Sequence, residues 1–227
     1  MSEITDQLRA SLRRQRRQIR KLFSLGLHPT ASSILDQGAK VIISGGGGAL
    51  TMRAVATRAG IKLASLQYHF KTFDQLVAAL FTREFGFIAD VLWKTLERLE
   101  SQSIPPAEGL RTAVEQFMPL EDQPDGSRHQ IYYHLLAFCS YNSDAFQKAK
   151  AFYRFYNTLI GFLVSRMNPS LPAAECLARA TMITSTLEGS CIYTILRAGE
   201  LTAEKAVHRE IGPLAVYYAL LPSAAER

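Results

Sequence analysis

The stretch from Thr51 to Phe70 restricts the fold of this chain more than any other. It reads Thr51-Met-Arg-Ala-Val-Ala-Thr-Arg-Ala-Gly60-Ile-Lys-Leu-Ala-Ser-Leu-Gln-Tyr-His-Phe70. Thr51 is placed to cap a short helix over Met52–Arg58, because a hydroxyl there can accept a bond from a free backbone N–H of the first turn. Ala59–Gly60–Ile61 predicts a tight turn in which Gly60 supplies a positive φ. Lys62–His69 then predicts a second short helix. Val55, Ala56, Ile61 and Leu66 fall where the pair can share a small core. Ala56 and Ala59 are small enough for the two helices to cross closely.

The remaining punctuation is that of helices. An apolar helix carrying Ile34, Ala39, Val41, Ile42 and Ile43 is expected to start at a Thr30 or Ser32 cap and to end at Gly45–Gly48. Thr72–Phe73–Asp74–Gln75 has the form of a capping box opening a long helix towards Glu100. Pro105–Pro106 breaks it. Further helices are expected at Ala107–Met118, Ser127–Tyr141, Asp144–Met167, Ala173–Leu196 and Ala203–Leu221, the last kinked or interrupted at Gly212–Pro213. No strand is expected. The fold class is therefore all-α, with about nine helices. With 227 residues, 48% hydrophobic and 20% charged, the chain can bury a core without disulfides or metals. No apolar run reaches the length of about 20 residues that a membrane span needs. Cys139, Cys176 and Cys191 are odd in number and form no CxxC pair, which argues against a disulfide framework or cysteine zinc site and favours a reducing cytosol.

Charge is uneven along the chain. Residues 1–30 hold Arg9, Arg13, Arg14, Arg16, Arg17, Arg20 and Lys21 against Glu3 and Asp6. Residues 31–80 hold Lys40, Arg53, Arg58, Lys62 and Lys71 against Asp36 and Asp74. The rest of the chain is slightly acidic, so all of the +6 excess lies in the first third. A basic end on a near-neutral body points to a polyanionic partner, nucleic acid or an anionic membrane surface. Residues 1–29 read as a basic N-terminal arm, a solvated tail in which Gln7–Phe23 can form a helix.

From about Ser33 to Leu80 the chain resembles the tetracycline-repressor (TetR) family of transcriptional regulators. The resemblance rests on the apolar helix, the glycine link, Thr51-Met-Arg-x-Val-Ala, Ala59-Gly-Ile, Ser65-Leu-Gln-Tyr-His-Phe70 and Lys71-x-x-x-Gln75-Leu76. It implies a helix-turn-helix DNA-binding domain over 30–80, with the second short helix entering the major groove, and a helical effector-binding and dimerisation domain over 81–227. Two positions depart from the family's habit: Gln67 stands where Tyr is usual, and Phe73 where Lys is common, with Lys71 available for that phosphate contact.

The implied DNA-contacting residues are Thr51 and Arg53 at the start of the first motif helix, Lys62, Ala64, Ser65 and Gln67 for base edges, and Tyr68, His69 and Lys71 for the backbone. The helix Ala173–Leu196 is nearly free of charge after Ala180, so a second surface must cover one of its faces. A partner subunit is expected against Met182, Ser185, Gly189, Ile192 and Leu196, with Tyr217 from the last helix, giving a homodimer on a duplex operator. The aromatic middle of the chain is expected to leave an effector pocket among Phe85, Trp93, Phe117, Tyr132, His134, Phe138, Tyr156 and Glu188, suited to a small, largely apolar or aromatic effector. No catalytic constellation, metal signature or cofactor motif is present. Gly45–Gly48 is followed by no Gly-Lys-Ser/Thr, and His129 and His134 do not share a helix face. The reading is a ligand-responsive regulator, a cytoplasmic repressor and not an enzyme. Its rival is an all-helical carrier or enzyme with a basic N-terminal anchor.

Overall fold

Hydrophobic spacing and cap chemistry produce ten α-helices among the described residues of the computed structural model, which are 2–101, 104–115, 127–196 and 201–223. Side chains are described there except at 127–129, 194–196, 201–206 and 208. The helices are α1 (Glu3–Leu22), α2 (Pro29–Gly45), α3 (Met52–Arg58), α4 (Leu63–His69), α5 (Phe73–Ser101), α6 (Pro106–Glu115), α7 (Ser127–Phe138), α8 (Ser143–Met167), α9 (Ala173–Leu196) and α10 (Leu201–Leu220). No strand occurs among the described residues, and no helix there is long and apolar enough to cross a membrane.

Two compact units draw on alternating parts of the chain. One comprises residues 20–88 and 123–151, the other 1–19, 89–122 and 152–227. Helices α1, α5 and α8 each contribute residues to both.

In the unit of residues 20–88 and 123–151, α2 packs on α3, α4 and α7. Its Ile34, Leu35 and Ile42 are fully covered, with Leu66 of α4 and Leu76 and Leu80 of α5. Gly38 lets Leu80 approach α2, since a Cβ at Gly38 would sit 3.1 Å from a Leu80 methyl. Arg83 clamps α5 to α2, donating to the Asp36 carboxylate at 2.8 Å and to the Leu35 carbonyl at 3.2 Å. A run of stacked rings, Phe23–Phe81–Phe85–Tyr132, forms a core with centroids 6.5, 4.0 and 4.8 Å apart in turn.

In the other unit, α8 supplies the buried Phe152, Phe155, Tyr156 and Phe162, and α10 lies on α6 and α9. A Cβ at Gly212 would stand 2.7 Å from Arg111 and Glu115, so glycine is what lets α10 cross α6 closely. The helix continues through Pro213, so the interruption allowed for there does not occur. Its free end is held by Arg179 of α9. That guanidinium is almost wholly buried and donates to the carbonyls of Tyr218, Ala219, Leu221 and Pro222, with Glu175 as its counterion at 2.6 Å. Ser223 donates to the second Glu175 oxygen at 2.7 Å. The orphan carbonyls at the end of a helix are thus met by a cation, which also suits the helix dipole.

The N-terminal segment departs most from expectation. It is a packed helix and not a solvated tail. Leu8, Leu12 and Ile19 are buried, Thr5 hydrogen-bonds Ser165 at 3.1 Å, and Gln15 donates to Thr158 at 3.1 Å. Arg9 pairs with Glu100 at 2.8 Å. Arg16 pairs with Glu97 at 2.9 Å while lying 4.2 Å over the Trp93 ring. The Trp93 indole and the Arg16 charge beside Glu97 hold its carboxyl below the usual range. The helix ends on Phe23, against which Gly86 of α5 packs so tightly that a Cβ there would lie 2.9 Å away.

Two smaller differences concern α2. Its N-cap is His28, not Thr30 or Ser32: the imidazole accepts from the Thr30 N–H at 3.3 Å, and Pro29 occupies the first helical turn. Proline favours that place because its missing N–H would be unpaired there anyway. The glycine run after α2, expected only to end that helix, has a defined shape of its own. Gly46 adopts φ 68°, Gly47–Ala49 forms a short 3-10 turn, and the Gly47 backbone lies against the His134 ring.

Candidate nucleic-acid interface

Thr51 starts α3 in extended conformation, and its Oγ1 accepts from the Ala54 N–H at 3.1 Å. The helix ends after Arg58 in a paired cap. The Gly60 N–H bonds the Thr57 carbonyl and the Ile61 N–H the Ala56 carbonyl, both at 3.1 Å, while Gly60 takes φ 67°. This is a Schellman ending, which needs a left-handed residue and here has the one residue without a Cβ penalty. Val55, Ala56 and Leu66 are buried between the helices.

The second helix, α4, opens at Lys62, whose extended backbone carries no side-chain cap. Leu63 to His69 then turn Leu66 inward and leave Ala64, Ser65, Gln67 and Tyr68 outward. Tyr68 is 83% exposed. Such an aromatic side chain standing in solvent gains nothing from folding. Arg53, Lys62 and Lys71 are exposed as well, and among the described residues none has a carboxylate in ion-pair reach. The start of α5 is fixed by two reciprocal bonds: Thr72 Oγ1 accepts from the Gln75 N–H at 3.2 Å, and Gln75 Oε1 from the Lys71 N–H at 2.9 Å. Lys71 therefore projects from a rigid corner.

His69 differs from its neighbours. It is half-buried, stacks on His28 with centroids 6.1 Å apart and meets the Tyr68 ring edge-on at 5.2 Å. The end of α4 is thereby tied to the cap of α2. Sequence reasoning missed His28, although a polar side chain directly before Pro29 was a signal for a cap. The other eight motif residues named from sequence lie on α3, α4 and their flanks with outward side chains. Uncompensated cations, a hydroxyl and free N–H groups at a helix start, and a short helix presenting Ser65, Gln67 and Tyr68 are what phosphates and base edges require.

The residues expected to line a pocket fall into both units. Phe85, Tyr132, His134 and Phe138 belong to one, with Phe85 stacked on Tyr132. Trp93, Tyr156 and Glu188 belong to the other. There Tyr153 donates to Glu188 at 3.0 Å, Thr184 donates to Asn157 at 2.8 Å, and burial raises the Tyr156 phenol well above its ordinary range. Burial also pushes the Cys139 and Cys176 thiols up, away from the thiolate form that nucleophilic chemistry needs. Phe117 lies outside the described residues.

On α9, Met182 and Ile192 are 54% and 43% exposed, and Ser185 is exposed beside them. Gly189 has open space where a Cβ would be. On α10, Tyr217 is 65% exposed and Leu214 and Leu220 are exposed too. An open groove of about 110 Å³ lies in this unit between Met182, Ile183 and Thr186 on α9 and Ile211, Leu214, Ala215 and Tyr218 on α10. The Leu196 side chain lies outside the described residues.

Residues 34–80 match the model of the family described as bacterial regulatory proteins, tetR family. No curated protein sequence matches the chain. Solved structures share its fold. A transcriptional regulator from Rhodococcus sp. Rha1 superposes with a TM-score of 0.67 at 18% identity, over 84% of this chain and 95% of that one. The multidrug binding protein EbrR complexed with ethidium gives 0.58 at 19% identity, over 84% and 98%. The transcriptional regulator FadR from Bacillus subtilis in complex with stearoyl-CoA gives 0.57 at 15% identity, over 82% and 97%. The chain thus resembles TetR-type regulators through its motif segment and shares their all-helical fold.

Proposed function

We propose that this chain is a ligand-responsive, DNA-binding transcriptional regulator of the TetR type. It acts as a cytoplasmic repressor that binds a pseudo-palindromic operator as a homodimer and is released by a small, largely apolar or aromatic effector. The observation that carries this reading is the α3–α4 pair inside the matched family segment, with Arg53, Lys62, Ser65, Gln67, Tyr68 and Lys71 all outward. Thr51 and Arg53 hold phosphate, Lys62, Ala64, Ser65 and Gln67 face base edges, and Tyr68 and Lys71 set register on the backbone. His69 serves more by bracing α4 against His28.

The exposed apolar faces of α9 and α10 support self-association, because solvent is a poor cover for Met182, Ile192 and Tyr217. Two recognition helices on one face of B-DNA imply half-sites about 34–36 Å apart. For the effector, fold relatives that hold ethidium and stearoyl-CoA support a guest with a largely apolar or aromatic body. Trp93 and Tyr156, with the Tyr153–Glu188 pair of the same unit, are the residues proposed to meet it. Nothing in this reading requires catalysis.

The test is selection of bound duplexes from a random pool, followed by sedimentation of the protein with and without the selected site. Enrichment of an inverted repeat and a dimeric complex support the proposal. Recovery of no enriched sequence, with monomer throughout, sinks it in favour of the carrier or enzyme reading.

A further inference from the structure

Helix α1 is divided lengthwise into zones of different chemistry. At 3.6 residues per turn, the buried Thr5, Leu8, Leu12 and Ile19 fall within an arc of about 60°. Arg9 and Arg16 flank that arc and are neutralised by Glu100 and Glu97. The opposite side, an arc of about 120°, carries Arg13, Arg14, Arg17, Arg20 and Lys21. All five are exposed, and among the described residues none has a carboxylate within ion-pair distance. Because α1 is one uninterrupted helix, these five charges form a ridge about 12 Å long whatever its surroundings.

Five unpaired cations so close together repel one another, so the ridge lowers stability unless an anion is met there. A helix that binds membrane surfaces keeps its apolar face free to enter the lipid. Here that face is already used, with Leu12 wholly covered. What remains is a purely ionic, arginine-rich surface, and arginine suits phosphate oxygens because its planar fork can bond two at once. We propose that this ridge is a second DNA-binding surface, separate from the α3–α4 motif, that grips phosphates of duplex DNA without reading sequence. The proposal rests on the regulator reading above and adds to it a non-specific contact outside the motif.

The experiment uses the full chain and a duplex of about 30 base pairs of mixed sequence, titrated from low to high salt. Each phosphate neutralised contributes about 0.9 to the slope of log affinity against log salt. The variant R13Q/R14Q/R17Q/R20Q is expected to flatten the slope by about two and to bind about 50-fold more weakly at 0.1 M salt. Its helix content and Tm should match the parent's or exceed them, since only exposed charge is removed. The all-lysine counterpart R13K/R14K/R17K/R20K should restore most of the slope. A glutamine variant with the parent's slope overturns the ridge proposal and leaves the motif reading standing. A parent that binds no duplex at any salt removes both. A parent that sediments with vesicles containing phosphatidylserine, through the same arginines and with an unchanged DNA slope, overturns the proposal in favour of a membrane surface.

Discussion

Gly47 and His134 are in contact as backbone against ring: a Cβ built on Gly47 would fall 1.6 Å from the imidazole. The glycine that follows α2 is thereby a seat for a side chain on α7, and His134 is half-buried in it.

Gly47→Ala should accordingly destabilise the protein by about 1–3 kcal/mol, the usual cost of forcing extra atoms into a packed site. Chemical denaturation monitored by circular dichroism would read it. Gly48→Ala is the comparison, because nothing lies within 4 Å of its missing Cβ. Equal effects of the two would mean that the ring moves aside freely.

His134 also carries a pH signature. Burial holds its imidazole below the ordinary histidine pKa of 6.5. The unfolded chain therefore takes up this proton first as pH falls, and stability declines below about 6.5 until the folded-state pKa is passed. His134→Leu should remove that decline, so parent and variant Tm should diverge between about pH 7 and 5. Parallel curves would exclude His134 as the source.

Leu12 on α1 is wholly buried. Leu12→Ala should cost about 2–5 kcal/mol, which a solvated arm would not show. Deletion of residues 1–19 should expose Trp93 and shift its fluorescence to the red. An unchanged Tm and spectrum would restore the arm.

In the motif, Lys71→Ala should weaken operator and random duplex alike and make the salt slope shallower by about one. Gln67→Ala should relax preference at one position per half-site, at about 1–3 kcal/mol. Equal loss on every sequence would show that Gln67 does not read a base.

Thr51→Ala should lower stability by about 1 kcal/mol through the lost cap, and should weaken DNA binding beyond that. Thr51→Ser restores both if the hydroxyl is what matters. Duplex binding by the serine form is the discriminating readout.

Much of this was legible because the signals were local. The bounds of α3 follow from Thr51 and Gly60, residues that specify a start and a stop by their own chemistry. The span of α9 followed from the Pro172 and Gly199 that bound it. The arm was misread because Thr5, Arg9, Gln15 and Arg16 have partners about 80 to 160 positions away, which no local pattern reveals, while its arginines are conspicuous. Arg179 was invisible for a related reason. Its partners are backbone carbonyls about 40 residues further on, and carbonyls leave no mark in a sequence. The pocket residues were chosen for their rings, and rings at helical spacing serve a core as well as a guest.

The bond between Thr5 and Ser165 spans 160 positions, and its consequence is one of timing. Contacts that distant fold late, because the intervening chain must be closed first. During synthesis, α1 leaves the ribosome well before α8, which receives it and emerges more than a hundred residues later. Through that interval Leu8, Leu12 and Ile19 have no native cover, and transiently exposed apolar surface of this kind is where nascent chains associate wrongly. The dense arginines on the other side of the same helix give it charge repulsion between neighbouring copies while it waits.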